Sequence, residues 1–468
     1  MNRRSKIFRI SLSFTLCLSL LGAIALMGYA APEPAYTIGN PYASVDWDSF
    51  QAYKTQLHTH TNASDGAVPM DKVIEEHYRL DYDILAITDH MTPGTQWNVV
   101  PKTVPLARLV KRDRTGMLPI TPLTDARREE IINGVGRGGR GMLEVTQGTE
   151  LNGLSINNSH INSYFTDYGQ GAAGIDGDYE TMAKRIDALG GLTFLDHLGL
   201  FTKAGKENNP GLYTDSDKYV NKYARIFLDY PSCIGTDINS SEDAHTKYDR
   251  ILYDRILEKT IPYGAVPWSF SFSDAHEMGQ YDRGYTVHWM PEKTVSALRD
   301  SMENGTFFAV NRHDCYEQEV GDTPLRGDAK DENGNHLYQP PTVSRIDVNE
   351  QASTISITSD DYDRIAWVSN GKVISEEPTL DIAAHDAEIG SFVRAFLVNK
   401  GGVCYVQPFT VLRAGQVLEK VNVPKTVDYS SILRLIVDYI NNILGEDSLI
   451  RAAWNLLVHF DPAVDWKK

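Results

Sequence analysis

Nine side chains of the types that hold divalent metal ions sit in short, separated motifs of this chain. His58 and His60 lie in Leu57-His58-Thr59-His60, and Asp65 follows in Ser64-Asp65-Gly66. On a β-strand, residues i and i+2 share a face, so the two imidazoles can reach one ion together. His90 closes Ile87-Thr88-Asp89-His90, Glu150 closes Gly148-Thr149-Glu150, His160 follows Ser159, and His197 follows Asp196. Asp274 and His276 repeat the i, i+2 relation in Ser273-Asp274-Ala275-His276. Imidazole and carboxylate together suit zinc, manganese or iron. Burying so many charges without a cation is costly. Clustered divalent ions bring a bridging water toward ionisation near neutral pH and polarise a phosphoryl or carbonyl oxygen, so the chemistry indicated is metal-assisted hydrolysis.

Two further residues are candidates for roles beside the metal. His245, in Glu242-Asp243-Ala244-His245, is the candidate leaving-group acid, against a competing reading as a helix start capped by Asp243. Arg283 is the candidate for an anionic substrate group, against a solvated surface charge. Glu150 and Asp274 count among both the metal donors and the catalytic residues. His77 sits in a predicted helix and is expected at the surface.

The elements that must position these groups alternate. Between about 46 and 311, β-like runs (53–58, 83–88, 143–148, 160–165, 192–196, 233–238, 266–273) are separated by helical patterns. Val73, Ile74 and Tyr78 share one helical face, as do Met182, Ile186 and Leu189. This alternation predicts a parallel sheet, and seven strands suggest a barrel with the donors at C-terminal strand ends. His160 is the exception, at a strand start. Residues 99–141 interrupt the rhythm and end in Gly134-Val135-Gly136-Arg137-Gly138-Gly139-Arg140-Gly141, which reads as an insertion with a flexible glycine loop. Residues 342–412 change to short alternating strands and predict a small β-sandwich. An amphipathic helical tail follows over 426–468.

The stretches LHTHTNASDG, LAITDH, GTE, SHIN, LDH and FSDAH resemble, in order, those of the PHP (polymerase and histidinol phosphatase) superfamily. The resemblance spans roughly residues 53–280. It implies an α/β fold, a distorted seven-stranded β/α barrel over 45–312, with up to three divalent ions. It assigns His58, His60, Glu150 and Asp274 to the first ion. Glu150, bridging, joins His160 and His197 at the second; Asp65, His90 and His276 hold the third. Asp237-Ile238-Asn239 departs from the pattern, since many relatives carry Glu at the first position. The leader and trailing β module are more similar to the carbaryl-hydrolase-like branch. The resemblance favours a phosphoesterase acting on a small-molecule ester. A carboxyl or carbamate ester hydrolase and a non-catalytic metal- or ligand-binding barrel are the alternatives.

The first residues carry Arg3, Arg4, Lys6 and Arg9, then an apolar run to Met27 and small residues before Pro32. Residues 1–31 therefore read as a signal peptide, with a periplasmic or extracellular protein expected. If it is uncleaved, this segment alone would contact a membrane. Without residues 1–30 the balance is 45 − 4 = 41 basic against 62 acidic residues, or −21. On that charge, nucleic acid is not expected as a partner. Cys233, Cys315 and Cys404 lack metal-ligand spacing and read as structural.

Overall fold

The computed structural model describes residues 34–103, 118–152, 160–169, 179–199, 217–240, 246–313, 317–425, 439, 443–445 and 448–450. The leader, His245, Cys315, part of the insertion and most of the tail lie outside the described residues. Eleven strands precede residue 312: β1 (Tyr36–Gly39), β2 (Gln51–Gln56), β3 (Ile84–Ala86), β4 (Leu143–Val145), β5 (Thr149–Asn152), β6 (His160–Tyr164), β7 (Leu192–Leu195), β8 (Cys233–Ser240), β9 (Trp268–Phe272), β10 (Gly284–Met290) and β11 (Phe307–Asn311). Seven follow: β12 (Arg345–Asn349), β13 (Thr354–Thr358), β14 (Arg364–Ser369), β15 (Lys372–Ser375), β16 (Thr379–Asp381), β17 (Phe392–Asn399) and β18 (Gly402–Arg413). The helices are α1 (Met70–Arg79), α2 (Asp125–Ile132), α3 (Tyr179–Ala188), α4 (Asp217–Asp229), α5 (Thr246–Thr260), α6 (Val295–Asn304) and the short α7 (Glu317–Val320).

The protein is a mixed α/β structure. One sheet runs β15-β14-β17-β18-β11-β10-β2-β3-β4, with β1 paired to β18; a second runs β5-β6-β7-β8-β9; a third runs β12-β13-β16. β2, β3 and β4 are parallel, as are β7, β8 and β9. Helices supply the crossovers that parallel pairing needs. α4 shows why they dock: Val220, Tyr223, Ala224 and Phe227 recur at helical spacing and are buried. Two isolated bridges link the first two sheets, His90 opposite Glu150 and Thr59 opposite Ala275. The ladder is interrupted there, so the described residues form no closed barrel. Below the donors, Phe194 stacks on Phe270 and Phe272 at centroid distances of 4.6 and 5.0 Å.

β6 runs antiparallel to both β5 and β7. That direction explains His160. The start of β6 lies at the same end as the finishes of β5 and β7, so the donor at a strand start faces the others.

Three expectations are corrected. The segment 342–412 is not a self-contained sandwich. β18 pairs with β11, and Ala309, Val310 and Asn311 face Tyr405, Cys404 and Val403, so its main sheet continues the sheet that contains β2, β3 and β4. Hydrogen-bond continuity from β11 won over the local turn pattern. The glycine-rich end of the insertion is ordered rather than loose. Arg140 binds Asp83 with two 2.7 Å contacts, and Arg137 donates to the Tyr82 carbonyl at 2.8 Å while lying 4.7 Å from the Tyr78 ring. Finally, His77 is fully buried between Tyr82 and Tyr281. Cys233 and Cys404 are buried free thiols. The tail residues Tyr439, Ile443, Leu449 and Ile450 are exposed.

Candidate metal centre

β2 ends at Gln56, and the chain continues through His58 and His60 with both side chains fully buried. The next turn carries Asp65. Its Gly66 permits the tight return, because a Cβ there would lie 2.8 Å from the His60 carbonyl carbon and the Thr61 oxygen. Asp89 fixes this loop, accepting from Thr61 N at 2.7 Å, Thr61 Oγ1 at 2.6 Å and Ser64 Oγ at 2.7 Å. Its place next to His90 thus serves architecture. His197 and Asp274 have φ of 31° and 45°, in the left-handed region. Such backbones cost about 1–3 kcal/mol each and persist where their surroundings enforce them.

The donors gather into three groups: His58, His60, Glu150 and Asp274; Glu150, His160 and His197; and His60, Asp65, His90 and His276. Glu150 is the hub. Its Oε2 lies 3.3 Å from His58 Nε2, 3.1 Å from His60 Nε2 and 3.1 Å from His90 Nδ1. Its Oε1 lies 2.7 Å from His160 Nδ1 and 3.4 Å from His197 Nε2. Asp274 Oδ1 is 3.2 and 3.0 Å from the Nε2 atoms of His58 and His60. Asp65 bridges His90 at 3.4 Å and His276 at 3.3 Å. His60 turns Nδ1 toward Asp65 at 3.6 Å, so it faces two groups.

These residues fit divalent cations. Donors bound to one tetrahedral ion at about 2.0–2.1 Å sit roughly 3.3 Å apart, close to the spacing of the first group. Both nitrogens of His58, both oxygens of Glu150 and His90 Nδ1 are buried without a correctly aligned hydrogen bond. Close but misaligned donors are what shared ions would satisfy.

The electrostatics agree. Burial pushes the His60 imidazole down, but contacts with Asp274 and Glu150 outweigh it and raise it to about 10. Burial also opposes the charged carboxylate of Glu150, yet the surrounding imidazoles hold it well below its usual range. Asp274 and Asp65 are depressed in the same way, against burial, by neighbouring histidines. Two signs of charge are therefore stored in one buried space.

Asn152 and Asn162 escaped the sequence reading. Asn152 lies 2.8 Å from His160 Nε2, and its i, i+2 relation to Glu150 carried that signal. Asn162 donates to Asp196 Oδ1 at 3.0 Å, and that oxygen lies 3.7 Å from His58 Nδ1. Asp237 is fully buried, and burial pushes its carboxyl well up. Arg283 lies partly buried after β9, and its charge helps lower Asp328. None of the three donor groups includes it.

No protein-family model and no curated protein matches the chain. Solved structures do. A two-domain protein from Bacteroides vulgatus containing a predicted PHP-like metal-dependent phosphoesterase is 14% identical, over 78% of this chain and 88% of that one, with a TM-score of 0.38. The lesion-specific endonuclease EndoQ from Pyrococcus furiosus is 13% identical, over 59% of this chain and 62% of that one, with a TM-score of 0.33. An Endonuclease Q complex with a 27-mer duplex bearing an abasic lesion is 11% identical, over 54% and 57%, with a TM-score of 0.29. The expectation that nucleic acid is excluded is corrected by these last two matches, one of them bound to DNA. Net charge sums the whole surface, whereas cations in a site set its local field. The chain's resemblance to the PHP superfamily extends from the order of its motifs to the grouping of its donors in space.

Proposed function

We propose that this chain is a metal-dependent hydrolase of phosphate esters, working at a centre that holds up to three divalent ions. The carrying observation is the Glu150 carboxylate, ringed by five imidazole nitrogens at 2.7–3.4 Å and sealed from solvent. The PHP resemblance supports phosphate esters as the substrate class. His58, His60, Glu150 and Asp274 form the first set; Glu150, His160 and His197 the second; Asp65, His90 and His276 the third. Bound divalent cations supply Lewis acidity for activating water and neutralising charge on a reacting oxygen.

The protein's own groups do the rest. Glu150 spans the groups and fixes their separation. Asp89 holds the Asp65 loop. Asn152 and Asp196 face the outer nitrogens of His160 and His58. The seven strands β2, β3, β5, β6, β7, β8 and β9, joined by the two isolated bridges, read as a distorted barrel around this centre. Residues 1–31 read as a cleaved export signal. The strands beyond 342 read as an accessory module fused to the barrel's sheet. Arg283 and His245 stand as proposals for substrate contact and leaving-group protonation.

The test is turnover by metal-loaded protein on phosphomonoesters, phosphodiesters including oligonucleotides, and aryl esters and carbamates. Phosphate ester cleavage is expected. Carbamate or carboxyl ester cleavage without phosphatase activity would replace this reading.

A further inference from the structure

A groove of about 680 Å³ lies where α4 ends and β8 and β9 begin, at the strand ends opposite the metal donors. Phe227, Leu228, Val266, Pro267 and Trp268 line it, with Tyr263 at an exposed edge. The Trp268 ring is fixed, since its Nε1 donates to the Glu303 carbonyl at 3.0 Å. An apolar groove of this kind on a protein's surface marks a contact to be made.

The chain beyond β18 already runs along the rim of this groove. Leu418 and Val266 pack against one apolar cluster. Tyr263 donates its hydroxyl to the Val421 carbonyl at 2.8 Å, and Lys420 Nζ lies 5.1 Å from the Tyr263 ring centroid. Lys425 Nζ lies 3.4 Å from Asp229 Oδ2, the oxygen that Arg225, another lining residue, binds through Nε at 2.8 Å. Residue 425 is thus delivered to the rim with residues 426–468 still to follow. That remainder brings apolar surface. Tyr439 and Ile443 are helical, one turn apart, and 67% and 62% exposed; Leu449 and Ile450 are exposed after them. Residues i and i+4 share one helix face. Only fourteen residues separate Lys425 from Tyr439. A tether that short holds the segment near the groove at an effective concentration on the order of millimolar, which favours this chain's own tail over a second copy.

We propose that this groove is the docking site of the chain's own C-terminal segment, which seats the Tyr439 and Ile443 face against Leu228, Val266 and Trp268. Hydrogen–deuterium exchange on the full chain reads both sides of the contact. The double variant Tyr439→Asp/Ile443→Asp changes two exposed positions. It should speed exchange in peptides covering 225–234 and 263–268 by about tenfold or more, and leave a peptide covering β2 unchanged. Leu228→Glu, on the groove side, should speed exchange in a peptide covering 436–450 by a similar factor. Light scattering at the same concentration should report a monomer throughout. Exchange equal to the parent's on both sides of the contact overturns the proposal. A parent dimer that the double variant splits also overturns it, since a second copy is then the occupant. If Leu228→Glu does not fold, the double variant decides alone by the same criterion.

Discussion

Two sets of buried histidines divide this molecule. His58, His60 and His90 sit at strand ends among Glu150, Asp274 and Asp65, and their imidazoles are raised, carboxylate contacts outweighing burial. His77 and His288 sit in apolar packing. Burial drives them down to about 4 and about 3, and each has an ordinary partner: the Val73 carbonyl at 2.7 Å, and Thr286 and Ser301 hydroxyls at 3.0 and 2.9 Å. Burial is therefore common to ligand and core histidine alike. What separates them is whether a carboxylate oxygen lies at metal-edge distance.

The sharpest way to break that division is to neutralise the shared carboxylate. Glu150→Gln keeps the volume but removes the charge that faces every imidazole of the first two groups. Metal content by elemental analysis should fall, and kcat/KM should drop well beyond the roughly 10–100-fold that an outer partner's loss costs. Parent-like metal content and turnover in Glu150→Gln would remove the hub from the centre. His77→Gln, in contrast, should leave the metal content at the parent level.

The second set makes its own prediction in pH. A histidine whose folded pKa lies below its unfolded value stabilises the fold fully above about 6.5, and that stability is lost as pH falls toward the folded value. For His288 the window runs from about 6.5 down to about 3, and for His77 down to about 4. His77→Gln should flatten the stability–pH curve in this window, by on the order of 3 kcal/mol between its ends. Urea melts of parent and variant at pH 7 and pH 4.5 measure the difference. Parallel losses in both proteins would show that His77 is not the group that charges.

Much of the centre was legible in the sequence because its donors come in pairs with strand periodicity. His58 with His60, and Asp274 with His276, carry the i, i+2 mark in the chain itself. The direction of β6 was not legible, because alternation of strand and helix says nothing about a strand that reverses between two neighbours. Helical periodicity shows which face His77 occupies, but not that Tyr82 and Tyr281, from distant segments, close over it. The fusion of β18 to β11 joins residues about ninety apart in sequence, and local turn signals carry no information on such pairing. Nor did the glycine run show that its own arginines tie it to Asp81 and Asp83.

The finest division lies inside the centre, at His160. Unlike its neighbours, it is pushed down to about 4, since burial outweighs the pull of Glu150. A neutral imidazole can coordinate through Nδ1, the nitrogen facing Glu150, only if its remaining proton is on Nε2. Asn152 Nδ2 lies 2.8 Å from Nε2, and turning the amide over puts its oxygen Oδ1 there instead. Orientation with the oxygen toward Nε2 selects the coordinating tautomer. Asn152→Leu should then weaken metal binding at the Glu150–His160–His197 group by roughly 10-fold, the low end for an outer partner. The other groups should be nearly untouched. Asn152→Asp, which can only accept, should retain parent affinity or exceed it. Calorimetric metal titration of the three proteins reads both directions. Equal affinity in parent and Asn152→Leu would place Asn152 among the packing residues.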